Sequence, residues 1–249
     1  MKNLAKYILQ KLLGFQNYLF VFSRFKIATL QNDHKERDFL HFLELVPAGG
    51  IVLDIGANIG IMTVHLAKSV KDSIIYAFEP IPHNIKVLER IIKHYKLNNV
   101  QVCKYALGNE EGEVEMVMPV IGSVKMQGLS HVVHSTIKEN NEGERFKMPV
   151  KRLDSIKELM GSAKPITGIK MDVENFEFFV LDGGKELLRK YRPIVYCELW
   201  DNDNRHKCFE LMQGLAYQIK IMVNGELKNY TYEVAKTNPT QNFFFIPKA

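Results

Sequence analysis

From residue 51 onward the chain alternates short apolar runs with amphipathic stretches. Ile51–Ile55 reads IVLDI, an apolar run interrupted by Asp54, which is the pattern of a strand buried on both faces. The spacing predicts a helix over 60–70 and a second strand over 73–78 (SIIYAF). Ile85, Leu88, Ile91, Ile92 and Tyr95 then recur at helical intervals over 83–97, and 100–107 reads as a third strand. Residues 109–150 break the rhythm. Positions 113–117 alternate as an added strand, whereas 119–147, with its glycines and the charged run NNEGER, reads as a long connection. Connections of that length are usually functional. The alternation resumes with a strand over 166–173, a helix near 178–190, a strand over 193–199 and a helix over 204–214. A strand over 218–223 leads into Asn224-Gly225, a strong hairpin signal, and 242–246 (NFFFI) supplies a last strand. Together these elements predict an α/β fold: a mostly parallel sheet with helices on both faces and an antiparallel C-terminal edge.

The first 36 residues stand apart from this pattern and are expected to form a basic, amphipathic helical extension to a domain spanning 37–249. Leu4, Ile8, Leu12 and Leu13 share one helical face. Residues 1–30 hold Lys2, Lys6, Lys11, Arg24 and Lys26 and no acid. The stretch is expected either to cap the domain or a partner chain, or to rest peripherally on an anionic membrane. Its apolar runs are too short to span one, and Gln10, Lys11, Gln16 and Asn17 break them, unlike the core of a signal peptide.

Charge changes the picture little beyond that. The net charge of +5 equals the five basic residues of positions 1–30, leaving 28 basic against 28 acidic residues over 31–249. A neutral body without an arginine-rich stripe argues against a nucleic-acid partner. Cys103, Cys197 and Cys208 show no CxxC spacing, so neither a zinc site nor a disulfide framework is indicated and a reducing, cytoplasmic setting is expected.

In a doubly wound sheet, ligands sit beyond the carboxyl ends of the strands. Those ends carry Asp54 and Gly56, Glu79 and Pro80, Ala106 and Leu107, Asp172 and Glu174, and Glu198. Four of the five bear a carboxylate, which suits a ligand rich in hydroxyls and positive charge. The first turn runs Gly56-Ala57-Asn58-Ile59-Gly60. It keeps a glycine for the tight exit from the strand and another for close packing, but lacks the middle glycine that lets backbone approach a pyrophosphate. Glu79, at the end of the next strand, is placed to accept hydrogen bonds from ribose hydroxyls, and a 2′-phosphate would be repelled there. Asp54 could orient an ammonium group, directly or through water. S-adenosyl-L-methionine answers all of this: a ribose, no phosphate, a sulfonium and a zwitterionic end.

Beyond single residues, VLDIGANIG (52–60), AFEP (77–80), YALG (105–108), RLDSI (152–156), IKMDVENFEFFVLDGG (169–184), RPIVYCEL (192–199) and NFFFIP (242–247) resemble, in order, the FkbM-type family of S-adenosylmethionine-dependent methyltransferases. The resemblance implies a class I, Rossmann-like, seven-stranded sheet and methyl transfer, most often to a hydroxyl oxygen of a glycan, glycolipid or polyketide-like metabolite. It implies cofactor contacts from Asp54, Gly56, Asn58, Gly60, Glu79, Pro80, Ala106, Leu107 and Asp172. Asn175 departs from the family, which usually has glycine there; asparagine tolerates left-handed backbone better than most residues.

An alcohol is a poor nucleophile until its proton leaves, so a general base is expected within reach. Asp172, Glu174 and Glu198 are the candidates, as base, cofactor contact or substrate-hydroxyl ligand. The same three could hold a divalent cation, though no metal is required. Glu177 reads as a helix-start acid favoured by the dipole. His131 and His134 lie in the long connection and are candidates for base or substrate contact. His65 reads as an ordinary helix residue, and Trp200 as a core residue or a platform for a sugar ring. The alternative to an enzyme is a non-catalytic cofactor-binding subunit in a glycan-modifying complex.

Overall fold

The computed structural model describes residues 2–135, 137 and 141–248. Three helices, α1 (Lys2–Leu13), α2 (Phe15–Thr29) and α3 (Arg37–Leu45), precede β1 (Ile51–Ile55). The alternating core follows as α4 (Ile61–Ser69), β2 (Ile74–Phe78), α5 (Pro82–His94) and β3 (Val100–Cys103). An inserted β-rich segment holds β4 (Ala106–Leu107), β5 (Gly112–Ile121), β6 (Val124–Lys125), β7 (His131–Val132) and β8 (Gly143–Lys151). The chain returns through α6 (Lys157–Met160), β9 (Ile166–Met171), α7 (Glu177–Asp182), α8 (Lys185–Tyr191), β10 (Ile194–Glu198) and α9 (Asp203–Gly214). It ends with β11 (Tyr217–Val223), β12 (Glu226–Asn229), α10 (Tyr232–Thr237) and β13 (Asn242–Pro247).

The main sheet has the order β12-β11-β13-β10-β9-β1-β2-β3. Strands β3, β2, β1, β9 and β10 are parallel; β13, β11 and β12 complete it antiparallel. Seven strands form the expected class I sheet, and the Asn224-Gly225 turn adds an eighth at its edge. Both turn residues have positive φ, 54° and 87°, as a tight hairpin turn requires. All of β1 is buried, as a central parallel strand must be. Strand order reverses at β1, which pairs with both β2 and β9, so a crevice opens beyond the carboxyl ends of these strands.

Three expectations are corrected. The run 100–107 is not one strand: it stops at Cys103, and Ala106–Leu107 joins a second sheet ordered β4-β8-β5-β6, with β7 on β5. Nor is 119–147 a bare connection. β5 and β8 pair antiparallel from Gly112↔Val150 to Pro119↔Gly143. Asn140, which opens the NNEGER run, lies outside the described residues. The helix near 178–190 is two helices, broken at Gly183-Gly184.

The boundary drawn at residue 36 does not divide the packing. Tyr18, Leu19, Phe20 and Ile27 of α2 are buried against Ile59, Val64, Val87 and Ile91. Ser23 Oγ donates to Ile59 O at 2.9 Å, and His65 Nε2 meets Ile27 O at 3.2 Å. α2 is therefore part of the domain's helical layer, and His65 ties α4 to it. Among the described residues no helix is long and apolar enough to cross a membrane.

Candidate active site

The site forms because β1 and β9 leave the sheet side by side. Gly56 follows β1 with φ 78°, and a Cβ there would stand 1.8 Å from Asp172 O, so glycine is the residue that lets the two chains pass. Gly60 starts α4 with φ 82°, and its missing Cβ admits Leu88 of α5. Asn58, between them, is itself left-handed at φ 50°.

Beyond these strand ends lies a partly open cavity. Its walls include Gly56 and Asn58 from the first turn, Glu79, Pro80 and Ile81 after β2, and Tyr105, Ala106 and Leu107 at β4. Asp172 and Glu174 follow β9, and Gln127, Gly128 and Ser130 of the inserted segment close over it. Three carboxylates and no lysine, arginine or histidine line this space.

Glu79 is buried and fixed by three donors. Its Oε1 accepts from Ile81 N at 2.8 Å and Asn84 Nδ2 at 3.2 Å; Oε2 accepts from Asn58 N at 2.8 Å. Burial nonetheless pushes its pKa up to about 7. A carboxylate offers roughly four acceptor positions, so one on Oε2 is left for a ligand. The side-chain carbonyl oxygens of Asn58 and Asn84, both on lining residues, are buried with no protein partner.

A second cavity adjoins the first and shares Gly56, Asn58, Gln127, Gly128 and Asp172 with it. Phe22 and Lys26 of α2, Glu36 and Lys170 also line it, with apolar side chains from the first turn and α4. Lys26 Nζ also pairs with Asp33 Oδ2 at 2.7 Å. Beneath the floor, Lys170 is a cation buried in the middle of the sheet. Its ammonium donates to Gly56 O at 3.1 Å and lies 3.5 Å from Asp54 Oδ1. Burial works against that charge, but Asp54 and then Asp172 outweigh it and hold the pKa above its ordinary value.

Acidic groups crowd this end of the sheet. The carboxyl of Glu174 is driven up to about 9, first by burial and then by the charges of Asp172, Glu198 and Glu177. Glu198 rises to about 7 through burial and Asp172, with Lys170 opposing. Glu36 is also raised, chiefly by burial.

Not every sequence-based candidate faces the cavities. Asp54 is fully buried; Oδ2 accepts from Thr63 Oγ1 at 2.6 Å and Oδ1 faces Lys170, so it holds the floor and cannot touch a ligand's ammonium directly. Gly60 likewise serves helix packing and lines neither cavity. Glu198 lines neither and acts on Glu174 through its field. Among the described residues no three acids, histidines or cysteines are grouped so as to hold a metal ion.

His131 is buried, with Nδ1 on Leu129 O at 2.8 Å and Nε2 on Asn141 Oδ1 at 3.2 Å, and so pins the inserted segment instead of facing substrate. His134 packs on the rings of Phe176 and Phe179, outside both cavities. Trp200 is half-buried and lines neither cavity. Glu177 does begin α7, and more: its Oε1 accepts from Val173 N at 2.9 Å and Asn175 N at 3.3 Å, so it shapes the turn that presents Asp172 and Glu174. Asn175 takes the left-handed conformation a glycine would, at φ 73°. Its Oδ1 also accepts from Asn202 Nδ2 and Asn204 Nδ2, tying this turn to the start of α9.

The sequence reading missed Asn84, Tyr105, Gln127, Glu36 and Lys170. Of these, Lys170 carried a signal: a lone charge inside the apolar run that precedes Asp172.

Comparison with known proteins agrees with this architecture. The family profile described as Methyltransferase FkbM domain matches residues 54–234. The chain belongs to the FkbM methyltransferase family. Methyltransferase 1 of Beauveria bassiana (strain ARSEF 2860) is 26% identical over 147 residues, covering 55% of this chain and 59% of that protein. Methyltransferase sdnD of Sordaria araneosa is 24% identical over 225 residues, covering 82% and 83%. The FkbM methyltransferase crystal structure from Methylobacillus flagellatus KT has a TM-score of 0.50 at 16% identity, covering 79% of this chain and 43% of that one, and shows the shared fold. The chain thus spans well under two thirds of the length of the first relative and of that structure.

S-adenosyl-L-methionine is the cofactor that membership brings. The residues present fit it. The unpartnered acceptors around Glu79 suit ribose hydroxyls, the acidic lining suits a sulfonium, and nothing in the lining would neutralise a pyrophosphate.

Proposed function

We propose that this FkbM methyltransferase is an O-methyltransferase acting on a hydroxyl of a glycan, glycolipid or polyketide-like metabolite, in a cytoplasmic setting. The observation that carries the reading is the lining of the first cavity by Glu79, Asp172 and Glu174 without a basic side chain. Glu79, with the amides of Asn58 and Asn84, holds the ribose. The second cavity takes the amino-acid end: Lys26 faces the carboxylate, and Glu36 and Asp172 face the ammonium. Gly56, Asn58 and Asp172, shared by the two cavities, would hold the sulfonium between them.

Bound there, the cofactor supplies an electrophilic methyl group on a sulfonium. Asp172 orients the acceptor hydroxyl in line with that methyl, so that proximity and exclusion of water lower the barrier. Glu174 is protonated in the free protein at neutral pH; the sulfonium's positive charge favours its carboxylate form, which then takes the hydroxyl proton. Glu198 raises the carboxyl of Glu174 through its charge. Lys170, by holding Gly56 O and Asp54, keeps the strand ends in register beneath them.

Incubation with methyl-labelled cofactor and a panel of hydroxyl acceptors tests this. Label should appear in an ether, and Asp172→Asn should lower turnover by about 100-fold or more. Cofactor binding without transfer to any acceptor would favour the binding-subunit reading, and label on nitrogen or carbon would overturn the oxygen assignment.

A further inference from the structure

Large apolar side chains exposed to solvent are not scattered over this molecule. Among the described residues, ten are exposed. Five lie on α1 (Tyr7, Ile8, Leu9, Leu12 and Leu13) and two on α2 (Val21 and Phe25). Two more, Val120 and Ile121, end β5 opposite β6, and Tyr232 alone lies elsewhere. The first nine sit on adjoining elements, because α1 contacts both α2 and β6. Gln10 of α1 donates Nε2 to Lys125 O at 3.1 Å and accepts Lys125 N at 3.3 Å, which fixes α1 beside the β5–β6 turn. An apolar surface of this kind on a folded protein marks something that covers it.

Charge says what covers it. Residues 1–30 carry five basic residues and no acid. Lys11 and Arg24 stand exposed among the apolar side chains. Protein–protein interfaces deplete lysine at their centres. Helices that lie in a bilayer interface combine these features: apolar side chains entering the acyl boundary and Lys or Arg reaching anionic headgroups. With 12 residues, α1 is about 18 Å long, sufficient to lie in that plane and too short to cross it.

We propose that α1, the outer face of α2 and the β5–β6 turn seat the protein on an anionic lipid surface. Val21 and Phe25 lie one turn apart on α2, and Phe22 and Lys26 follow them about 100° round the helix. The second cavity therefore opens next to the lipid-facing stripe. On the functional reading above, acceptor hydroxyls carried by membrane-anchored molecules reach the site from there; the docking itself does not depend on that reading.

Co-sedimentation of the full chain with phosphatidylcholine vesicles containing phosphatidylglycerol, against phosphatidylcholine alone, tests the proposal. The protein should pellet with the anionic vesicles, and added salt should release it. Leu9→Asp with Leu12→Asp, and separately Val21→Asp with Phe25→Asp, should each weaken pelleting about tenfold or more. Their calorimetric binding of S-adenosylhomocysteine should be unchanged, which shows the variants folded and separates this result from failure of the cofactor reading. The salt titration of the unmodified chain gives the same test if a variant does not fold. Equal pelleting with both vesicles, no pelleting, or a lipid-free dimer dissolved by the same substitutions would overturn the proposal, the last assigning the face to a second copy of the chain.

Discussion

Glu79→Gln is a single-atom exchange with a sharp expected consequence. Glutamine can keep a carbonyl oxygen for Ile81 N and Asn84 Nδ2, but its NH2 then replaces the oxygen that accepts Asn58 N at 2.8 Å. A donor meets a donor, and the acceptor left for a ribose hydroxyl disappears. A hydrogen bond to a charged group is worth about 1.5–3 kcal/mol, so affinity for S-adenosylhomocysteine should fall by about 10- to 150-fold at pH 8. The pH dependence is more specific. With burial holding the free Glu79 near pH 7, lowering the pH protonates it and removes the same acceptor. If ligand hydroxyls return the bound group toward its ordinary range, Glu79 should cost the unmodified protein about tenfold in affinity per pH unit below 7. The glutamine variant lacks that titration, so the two affinities should converge by pH 5.5. Calorimetric titrations of both proteins at pH 8 and 5.5 measure this. Equal affinities at pH 8, or a constant ratio at both pH values, would refute the ribose assignment.

Other consequences follow from the crowded carboxylates and the turn at Asn175. Glu79, Glu198, Glu177 and Glu174 all have folded pKa values raised above 4.5, to about 7, 7, 8 and 9. The folded state therefore binds more protons than the unfolded chain between about pH 4.5 and 9, and stability falls as pH rises through that window. Thermal unfolding of the ligand-free protein should show a higher Tm at pH 5.5 than at 8.5; the reverse order would show that these groups are not buried as described. Because a sulfonium favours ionised Glu174, S-adenosylmethionine should release more protons on binding at pH 8 than S-adenosylhomocysteine. Calorimetry in two buffers of different ionisation enthalpy reads that difference, and equal release would separate Glu174 from the sulfonium. Asn175→Gly keeps the left-handed backbone but loses the bonds from Asn202 and Asn204, so urea unfolding should show a loss of about 1–2 kcal/mol. Asn175→Ala should lose about 1 kcal/mol more through backbone strain, and equal stability of the two variants would remove the left-handed requirement.

The main sheet could be read from the chain because its central strands are largely buried on both faces and bounded by helical periods. IVLDI, SIIYAF and NFFFI have no other economical home, and Asn224-Gly225 announced its own hairpin. The second sheet was harder for a physical reason. β8 exposes one face along most of its length, so Phe146, Met148 and Val150 alternate with Lys147, Pro149 and Lys151, a period-2 signal diluted by charge and proline. The site divides in the same way. Glu79 and Asp172 follow from strand ends, since topology brings strand ends together. Asp54 also ends a strand, but its fate depended on Lys170 of the neighbouring strand, which turns it inward. Glu36, Gln127 and Gly128 reach the cavities from segments with no periodic signature, through tertiary packing that a linear reading does not contain.

Because an acidic, phosphate-free crevice underlies everything said about catalysis, calorimetric titration of the full chain with S-adenosylhomocysteine and, separately, with NAD is the most direct test. One adenosyl-thioether should bind per chain, with NAD giving no heat of binding. Saturable NAD binding, or no binding of S-adenosylhomocysteine, would contradict the assignment of Glu79 and Asp172 to a sulfonium cofactor.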